Sequence, residues 1–372
     1  MNRIIISNYQ LSILTSVFVV GASPLIIPTL VASVAGKDSW LSVISAAIVG
    51  LLVVWVNIYI AELYPGKTFV EFSQQLLGKW MGAFVSIALI MIELVAGTDV
   101  IWYVGDFFTT VYVTGSSKYY INSLFIVALA IALLYGLEVV ARAREVFFII
   151  IFPLFLITFL LLIPEFKFDN LFPIMENGAA PVVAGMFPLM NNAVFPIICL
   201  TMIFTTNIKD IKAAKKSIYK GYFLGMLEVF LAMIMCVLVV GGNLTGKLRY
   251  SPFVVTKEIN VGVIFSRLEA LIVIVWLVVS FFAVFIYLYS GILGLSQVLK
   301  LKDYKRIVIP VLLILGVYSG IAYKDVPYQL NFDTMIRTPA AICFGLVLPT
   351  VLLIVSLAKR KLGKGKKKIL RK

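Results

Sequence analysis

Long apolar runs, separated by short polar stretches, dominate the sequence. A run of about 20 apolar residues is long enough to cross a bilayer as a helix. We predict ten transmembrane spans, at residues 10–34, 40–63, 80–113, 119–137, 145–163, 180–206, 217–240, 263–299, 307–323 and 338–358. The pattern predicts an all-α polytopic membrane protein with a single membrane domain over residues 1–372.

Span 1 contains a segment, Gly21 to Pro28, that a regular helix cannot accommodate. Pro24 and Pro28 lack the N–H that would close a helical hydrogen bond, and glycine permits backbone angles that other residues resist. A freed carbonyl in hydrocarbon costs several kcal/mol, so protein or a water-filled cavity must surround such a break. For one helix alone, a proline kink repaired by its neighbours is the simpler interpretation.

A second interrupted segment, Met186 to Pro196, lies in span 6, and spans 3 and 8 are both unusually long. These matches are five spans apart, an odd number, so the two units must point in opposite directions across the membrane. The pattern predicts a five-plus-five inverted repeat, with units at about 10–163 and 180–358, although the two halves share no residue-level identity. Paired interrupted spans are the best sequence pointer to a binding site near the bilayer midplane.

The distribution of basic residues predicts the orientation of the protein in the membrane. The 372 residues are 62% hydrophobic and 13% charged, with a net charge of +14. Because the basic residues cluster at the ends of spans, the charge does not indicate nucleic-acid binding. About 23 of the 32 Lys and Arg residues fall on the side that holds both termini, which predicts cytoplasmic termini. The basic tail at 359–372 is a topology anchor, and binding of anionic membrane lipids is the alternative.

The two interruptions predict a site for a zwitterion. Free N–H groups at a half-helix N-terminus attract a carboxylate, and free carbonyls attract an ammonium group or a cation. An amino acid carries both groups. The candidate ligand-binding residues at the interruptions are Gly21, Ala22 and Ser23 in span 1, and Met190, Asn191 and Asn192 in span 6. The alternative for the two asparagines is that they only satisfy the broken backbone.

Ionisable residues inside spans are costly and therefore worth a functional hypothesis. Asp99, Tyr103 and Asp106 share one face of span 3 by i, i+4, i+7 spacing, and this face is a candidate lining for an outer vestibule. Asp106 is near the outer end, where water can solvate it. Glu93, deeper in span 3, and Glu228 in span 7 are candidates for a pathway or coupling role. A protonated or hydrogen-bonded structural role is the alternative for Glu93.

Span 8 carries small and hydroxyl residues on one stripe, with Tyr287 between Ser280 and Gly294 at intervals of seven. Such a stripe either lets helices approach closely or lines a cavity, and Tyr287 is its member most suited to contact a ligand. Histidine is absent, and the three cysteines form no CxxC pair. Without a phosphate-binding glycine loop, a metal cluster or a nucleophile with a base partner, the sequence predicts no enzyme and no cofactor.

Several short stretches carry a family resemblance. They are Ile6-Ser7-Asn8-Tyr9-Gln10-Leu11, Leu171-Phe172-Pro173, Glu176-Asn177-Gly178, Ser251-Pro252-Phe253 and Arg267-Leu268-Glu269-Ala270 through Trp276. In order and spacing the chain resembles the B subunits of bacterial spore germinant receptors, within the amino acid–polyamine–organocation transporter superfamily. The resemblance implies a LeuT-like fold in the spore inner membrane and a germinant, often an amino acid, bound between spans 1, 3, 6 and 8. It also implies a complex with a larger membrane A subunit and a lipoprotein C subunit.

Three functions remain open at this point. The first is a nutrient sensor in which a bound germinant shifts a conformational equilibrium that partner subunits detect. The second is an amino-acid permease, and the third is a conduit for water or ions. Some sodium-independent members of the superfamily use a lysine of span 5 in place of a cation. Span 5, read as residues 145–163, has no lysine, which argues against proton-coupled uptake by that device.

Overall fold

The computed structural model of the chain describes residues 6–21, 23–208, 210–259 and 268–369. These residues form helices joined by turns, with no strand among them. The α-helices are α1 (Asn8–Val20), α2 (Ser23–Ala35), α3 (Ser39–Glu62), α4 (Phe69–Leu77), α5 (Lys79–Val111), α6 (Lys118–Tyr135), α7 (Leu137–Leu161), α8 (Ala180–Leu189), α9 (Ile211–Val240), α10 (Gly242–Thr245), α11 (Ser251–Thr256), α12 (Glu269–Val298), α13 (Lys305–Ile321), α14 (Val326–Phe332), α15 (Thr338–Ile342) and α16 (Leu348–Ile369).

Eight helical stretches in the described part of the chain are long and apolar enough to cross a membrane. They are Leu25–Glu62, Lys79–Val111, Lys118–Tyr135, Leu137–Glu165, Ala180–Met202, Ile211–Val240, Glu269–Val298 and Val326–Lys361. Large apolar side chains such as those of Phe84, Ile149 and Ile314 are more than two-thirds exposed on the helices of the bundle. In water such surface would be unfavourable, whereas lipid tails solvate it. The predicted all-α membrane protein is confirmed.

The stretch from Ile6 to Leu11, one of those that carry the family resemblance, contains a helix start. Ser7 is the N-cap of α1: its hydroxyl accepts from the Gln10 backbone N–H at 3.0 Å, and the Gln10 amide oxygen accepts from the Ser7 N–H at 2.8 Å. This reciprocal capping box satisfies N–H groups that a helix otherwise leaves open. It fixes where α1 begins.

Span 1, which consists of α1 and α2 and is called helix 1 below, is broken, as predicted, but only once. The α1 segment ends at Val20, and Gly21 has φ +49° and ψ −131°, a conformation that only glycine adopts readily. The α2 segment begins at Ser23 and continues through Pro28, so the second proline does not break it. Pro24, in the first turn of α2, is tolerated because the first N–H groups of a helix have no intrahelical partner, whereas Pro28 lies inside the helix. Ala22 lies outside the described residues.

The helix of residues 180–202, called span 6 below, departs from α geometry in a different way from the prediction. Its α8 segment ends at Leu189, a π turn follows at Met190–Val194, and a 3-10 segment continues over Phe195–Met202. The backbone therefore changes its winding and does not unwind. Pro196 lies in the first turn of the 3-10 segment, where its missing N–H leaves no bond unmade.

Two of the wrongly predicted boundaries left an arginine outside the helix that contains it. Helix α7 begins at Leu137 and not near residue 145, so Arg144 is inside this helix, with 2% of its surface exposed. The last membrane helix begins at Val326 and not at 338, because Asp325 caps it through the Tyr328 N–H at 2.8 Å. Consequently Arg337, which the predicted spans placed in the loop just before residue 338, lies inside the bundle.

Close contacts between helices position the site. The long helices α5 and α12 pack along each other, and a Cβ at Gly97 would stand 3.1 Å from the Cβ of Tyr287. At Gly291 a Cβ would meet the Leu94 side chain at 2.8 Å. On the other side of the bundle, α1 packs along α9. Small residues at these crossings allow the backbones to approach, which is the usual basis of helix association in lipid.

Candidate functional site

A small cavity of about 30 Å³ lies among α5, span 6, α12 and the last membrane helix. Its walls are mostly apolar, and four polar or charged side chains line it: Glu93, Asn191, Tyr287 and Arg337. Three of these four are residues that the sequence singled out. The fourth, Arg337, is a residue that sequence reasoning had assigned to a loop. The cavity therefore brings together side chains that are far apart along the chain.

Asp99, one of the predicted ligand-binding residues, is already paired inside the protein. Its Oδ1 accepts a hydrogen bond from the Tyr323 hydroxyl, and its Oδ2 lies 3.3 Å from Nη1 of Arg337. The same guanidinium nitrogen lies 3.2 Å from Oδ1 of Asp333, whose other oxygen accepts from Gln329 at 2.6 Å. Asp99 is thus part of a buried ion-pair network and does not line the small cavity.

Span 6 joins this network through Asn192. The Asn192 side-chain oxygen accepts a hydrogen bond from Nη2 of Arg337, and its nitrogen donates to the Pro188 carbonyl at 2.8 Å. Asn192 therefore satisfies a backbone carbonyl of its own helix, as the structural alternative supposed. Two π turns meet at this contact, Met190–Val194 and Asp333–Arg337. Single π turns are frequent at functional sites because they redirect side chains.

Asn191 differs from its neighbour. It is 3% exposed, it lines the cavity, and its side-chain oxygen has no hydrogen-bond partner among the described residues. Met190, beside it in the same π turn, is buried in the core. A buried amide oxygen without a hydrogen-bond partner is unfavourable. A ligand, a water molecule or an ion bound at this oxygen would remove that cost.

Glu93 is the second group with an unsatisfied atom on the cavity. Its Oε2 accepts from the Ser290 hydroxyl at 2.7 Å, and the Cys199 thiol lies against the same carboxyl. Its Oε1 is buried and has no hydrogen-bond partner in the ranges that the structure covers. The residue is 3% exposed. Glu93 also makes no salt bridge within the described ranges, in contrast to Asp99.

Tyr287 connects the cavity to the break in helix 1. Its ring centroid is 4.8 Å from that of Phe18, in the last turn of α1 before Gly21. The tyrosine also lines the cavity, together with Glu93 and Asn191. Ser23 begins α2 on the far side of the break, and the first N–H groups of any helix have no intrahelical partner.

A second cavity, of about 320 Å³, lies toward the Val111 end of α5, with Tyr103 and Asp106 in its lining. Asp106 accepts from Lys118 Nζ at 2.7 Å, from the Tyr250 hydroxyl at 2.6 Å and from Arg249. Asp106 is only 2% exposed, so the expectation that water solvates it was wrong. Three donors from two segments, the start of α6 and the turn before α11, close over this carboxylate.

Glu228 is not among the residues that line either cavity. Its Oε1 lies 3.5 Å from the Ser16 hydroxyl, at the packing of α1 on α9. The charge of Arg144 on α7 also acts on it. The structure therefore separates Glu228 from Glu93, although the sequence suggested one role for both. No group of three or more metal-ligating side chains occurs in the part of the chain that the structure describes.

Sequence reasoning missed the residues contributed by the last membrane helix and the turn before it: Tyr323, Gln329, Asp333 and Arg337. The sequence does contain a pattern that indicates three of these residues. Gln329, Asp333 and Arg337 recur at intervals of four, which aligns them on one helical face. A polar stripe of this kind, bounded by prolines at 327 and 339, is typical of a helix that turns its polar face into a bundle.

Solved transporter structures share this fold. Mhp1, a nucleobase-cation-symport-1 family transporter in a closed conformation with bromovinylhydantoin bound, matches with a TM-score of 0.61 and 12% identity. That match covers 88% of this chain and 74% of Mhp1. A mutant of the manganese transporter of Eremococcus coleocola matches with a TM-score of 0.56 and 10% identity, over 94% of this chain and 77% of that one. At such low identity the likeness concerns the fold alone.

Sequence relatives identify the family. Spore germination protein KB of Bacillus subtilis (strain 168) is 26% identical over 370 residues, which covers 97% of each chain. Spore germination protein YndE of the same organism is 26% identical over 356 residues, covering 94% of this chain and 96% of that protein. The profile of the family described as spore germination protein matches residues 5–325. The chain therefore belongs to the spore germination protein family.

Proposed function

We propose that this chain is the membrane subunit of a spore nutrient-germinant receptor, and that it binds a small germinant, an amino acid, beside the break in helix 1. The observation that carries the proposal is the small cavity with its unsatisfied buried acceptors, which Tyr287 joins to the break through its contact with Phe18. Its lining is mostly apolar with a few convergent polar groups, as in ligand sites, and its volume accommodates one small group of a ligand, such as an ammonium. Family membership supports the link to germination.

Both ends of an amino acid have partners in this arrangement. The first turn of α2, after Gly21, offers free N–H groups and a positive dipole end to a carboxylate. The unsatisfied oxygens of Glu93 and Asn191 offer acceptors to an ammonium group. Ala22 and Ser23 belong to the proposed site by their position in the chain, and Asp99 and Tyr103 belong to its surroundings.

We infer ten spans in a five-plus-five arrangement. The continuous stretch Leu25–Glu62 contains two helices, α2 and α3, on either side of the 3-10 turn Gly36–Asp38. Counting α1 with α2 as one span, and the 17-residue α13 as another, brings the eight stretches to ten. With the basic bias of the sequence, both termini are cytoplasmic and the protein sits in the spore inner membrane. The proposed partners are the A subunit and the lipoprotein C subunit of the receptor.

The cavity can be tested by filling it. Ala96 lines it and is 9% exposed, whereas Ala184 is exposed on α8 and does not line it. In spores whose own copy is replaced, we expect Ala96→Leu to abolish the dose response to the germinant while receptor abundance stays normal. The matched Ala184→Leu variant should respond like the wild type. An unchanged dose response in Ala96→Leu spores would mean that the germinant binds elsewhere.

The transporter fold favours one second candidate, an amino-acid permease that works by alternating access. Proteoliposomes that contain only this chain separate the two functions, with radiolabelled amino acids as probes. Concentrative uptake that Ala96→Leu abolishes would establish a permease. Saturable binding without uptake, lost in the same variant, would establish a sensor.

A further inference from the structure

Glu93 differs from the other buried carboxylates around the site because it lacks a cation. Asp99 and Asp333 share Arg337, and Asp106 is paired with Lys118 and Arg249. Glu93 has the Ser290 hydroxyl on one oxygen and no salt bridge within the described residues. An ionised carboxylate buried without a counter-charge is strongly unfavourable, so Glu93 either holds a proton or takes a cationic partner from a ligand.

Arg337 cannot readily supply that missing charge. Its guanidinium lines the same cavity, but it lies between two carboxylates and also donates to Asn192. The group formed by Arg337, Asp99 and Asp333 carries a net negative charge when all three are ionised. Glu93, which lines the cavity, and the ion pairs that hold Arg337 therefore carry a net negative charge together, which favours a cationic guest over an anionic one.

The acceptors and the aromatic ring around Glu93 fit a particular cation. Glu93 Oε1 and Asn191 Oδ1 are both buried, both lack a partner among the described residues, and both residues belong to the cavity lining. An ammonium group has three N–H donors, two for these oxygens and one to spare. Tyr287 belongs to the same lining, and an aromatic ring attracts an ammonium group to its face.

We propose that the cavity binds the amino group of the germinant, with Glu93 as its counter-ion and Asn191 as a second acceptor. This inference rests on the proposed function and narrows it. The germinant must carry a primary ammonium group, so neutral sugars and simple carboxylic acids are excluded as occupants of this position. Ser290 is a positioning residue, since its hydroxyl holds Oε2 of the Glu93 carboxyl and leaves Oε1 for the guest.

The test compares matched probes on the detergent-purified chain. The twenty proteinogenic L-amino acids are each measured beside the corresponding carboxylic acid without the amino group, by thermal shift and then by calorimetric titration. We expect binding by at least one amino acid and at least tenfold weaker binding by its deaminated counterpart. In Glu93→Gln, which keeps the side-chain shape, the affinity for the same amino acid should fall at least tenfold. Glu62→Gln, a change at the Lys215 salt bridge away from the cavity, should leave it unchanged.

Three results would overturn the inference. One is equal binding by an amino acid and its deaminated counterpart, which needs only the wild-type protein and so does not depend on any variant folding. Another is unchanged affinity in a folded Glu93→Gln protein. The third is stabilisation by ammonium, sodium or potassium chloride alone with none by any amino acid. If in any of these cases Ala96→Leu still abolishes the germinant response, the proposal that the germinant binds at the cavity stands. Only the proposal that its ammonium group binds Glu93 is then wrong.

Discussion

Substitution of Arg337 by methionine is the sharpest test of how the site is held together. The guanidinium contacts Asp99 at 3.3 Å, Asp333 at 3.2 Å and the Asn192 side chain. The side chains of Arg337, Asp99 and Asp333 are 10%, 1% and 12% exposed, so water cannot replace the lost partner. Removing one member of a buried ion pair typically costs about 3–5 kcal/mol.

We expect Arg337→Met to lower the free energy of unfolding by about that amount, a large share of the roughly 5–15 kcal/mol that stabilises a typical protein. Unfolding in mixed detergent micelles titrated with dodecyl sulfate measures it. Trp102 and Trp276 are fully buried, so their fluorescence reports the transition. Adding Asp99→Asn and Asp333→Asn to Arg337→Met should recover part of the loss, since no uncompensated carboxylate then remains.

The matched control is Arg142→Met. This arginine also pairs with a carboxylate four residues away, Glu138 at 2.6 Å, but its side chain is 70% exposed. Exposed pairs contribute about 1 kcal/mol or less. If Arg337→Met cost no more than this control, Arg337 would be solvated and the buried network would not exist.

Two further outcomes follow from the backbone and from the second cavity. Gly21→Ala should lower the free energy of unfolding by about 1–3 kcal/mol and weaken the germinant response, because alanine is strained at φ +49°. The control Gly316→Ala, whose Cβ would meet only the end of Ile126, should be nearly neutral. Equal unfolding free energies for the two variants would mean that helix 1 is not held in this conformation. Asp106→Asn should speed hydrogen exchange in the segment 246–256, because Arg249 and Tyr250 lose the carboxylate that both contact. The control Glu138→Gln, at an exposed salt bridge, should leave this exchange unchanged. Unchanged exchange in Asp106→Asn would contradict these contacts.

The class of fold and the break in helix 1 were predictable because both depend on local chemistry. Apolar length identifies a span, and Gly21 close to Pro24 identifies a place where an α-helix cannot continue. The winding of span 6 was less predictable. Prolines at 188 and 196 indicate a departure from α geometry, but unwinding and a π turn use the same residues, and the choice depends on neighbours such as Arg337.

Arg337 itself could not be found from hydropathy. Its segment carries Gln329, Asn331 and Asp333 and therefore reads as a loop, although the helix that contains it begins at Val326. The partner that makes its burial possible, Asp99, is 238 positions away. A pattern along the chain cannot reveal a compensation of this range. Asp106 was expected to be solvated for the same reason, because its partners Arg249 and Tyr250 are also far away along the chain.

The elements around the cavity also indicate how a bound germinant could act on the whole protein. Glu93 belongs to α5, Asn191 to span 6, Tyr287 to α12 and Arg337 to the last membrane helix, and Phe18 ties the break of helix 1 to Tyr287. A ligand shifts a conformational equilibrium only by its differential affinity for the two states. Because the wall is shared among separate helices, any movement of one against the others changes the distances between the acceptors. An ammonium group held by Glu93 and Asn191 at once would therefore favour the arrangement in which α5 and span 6 are close.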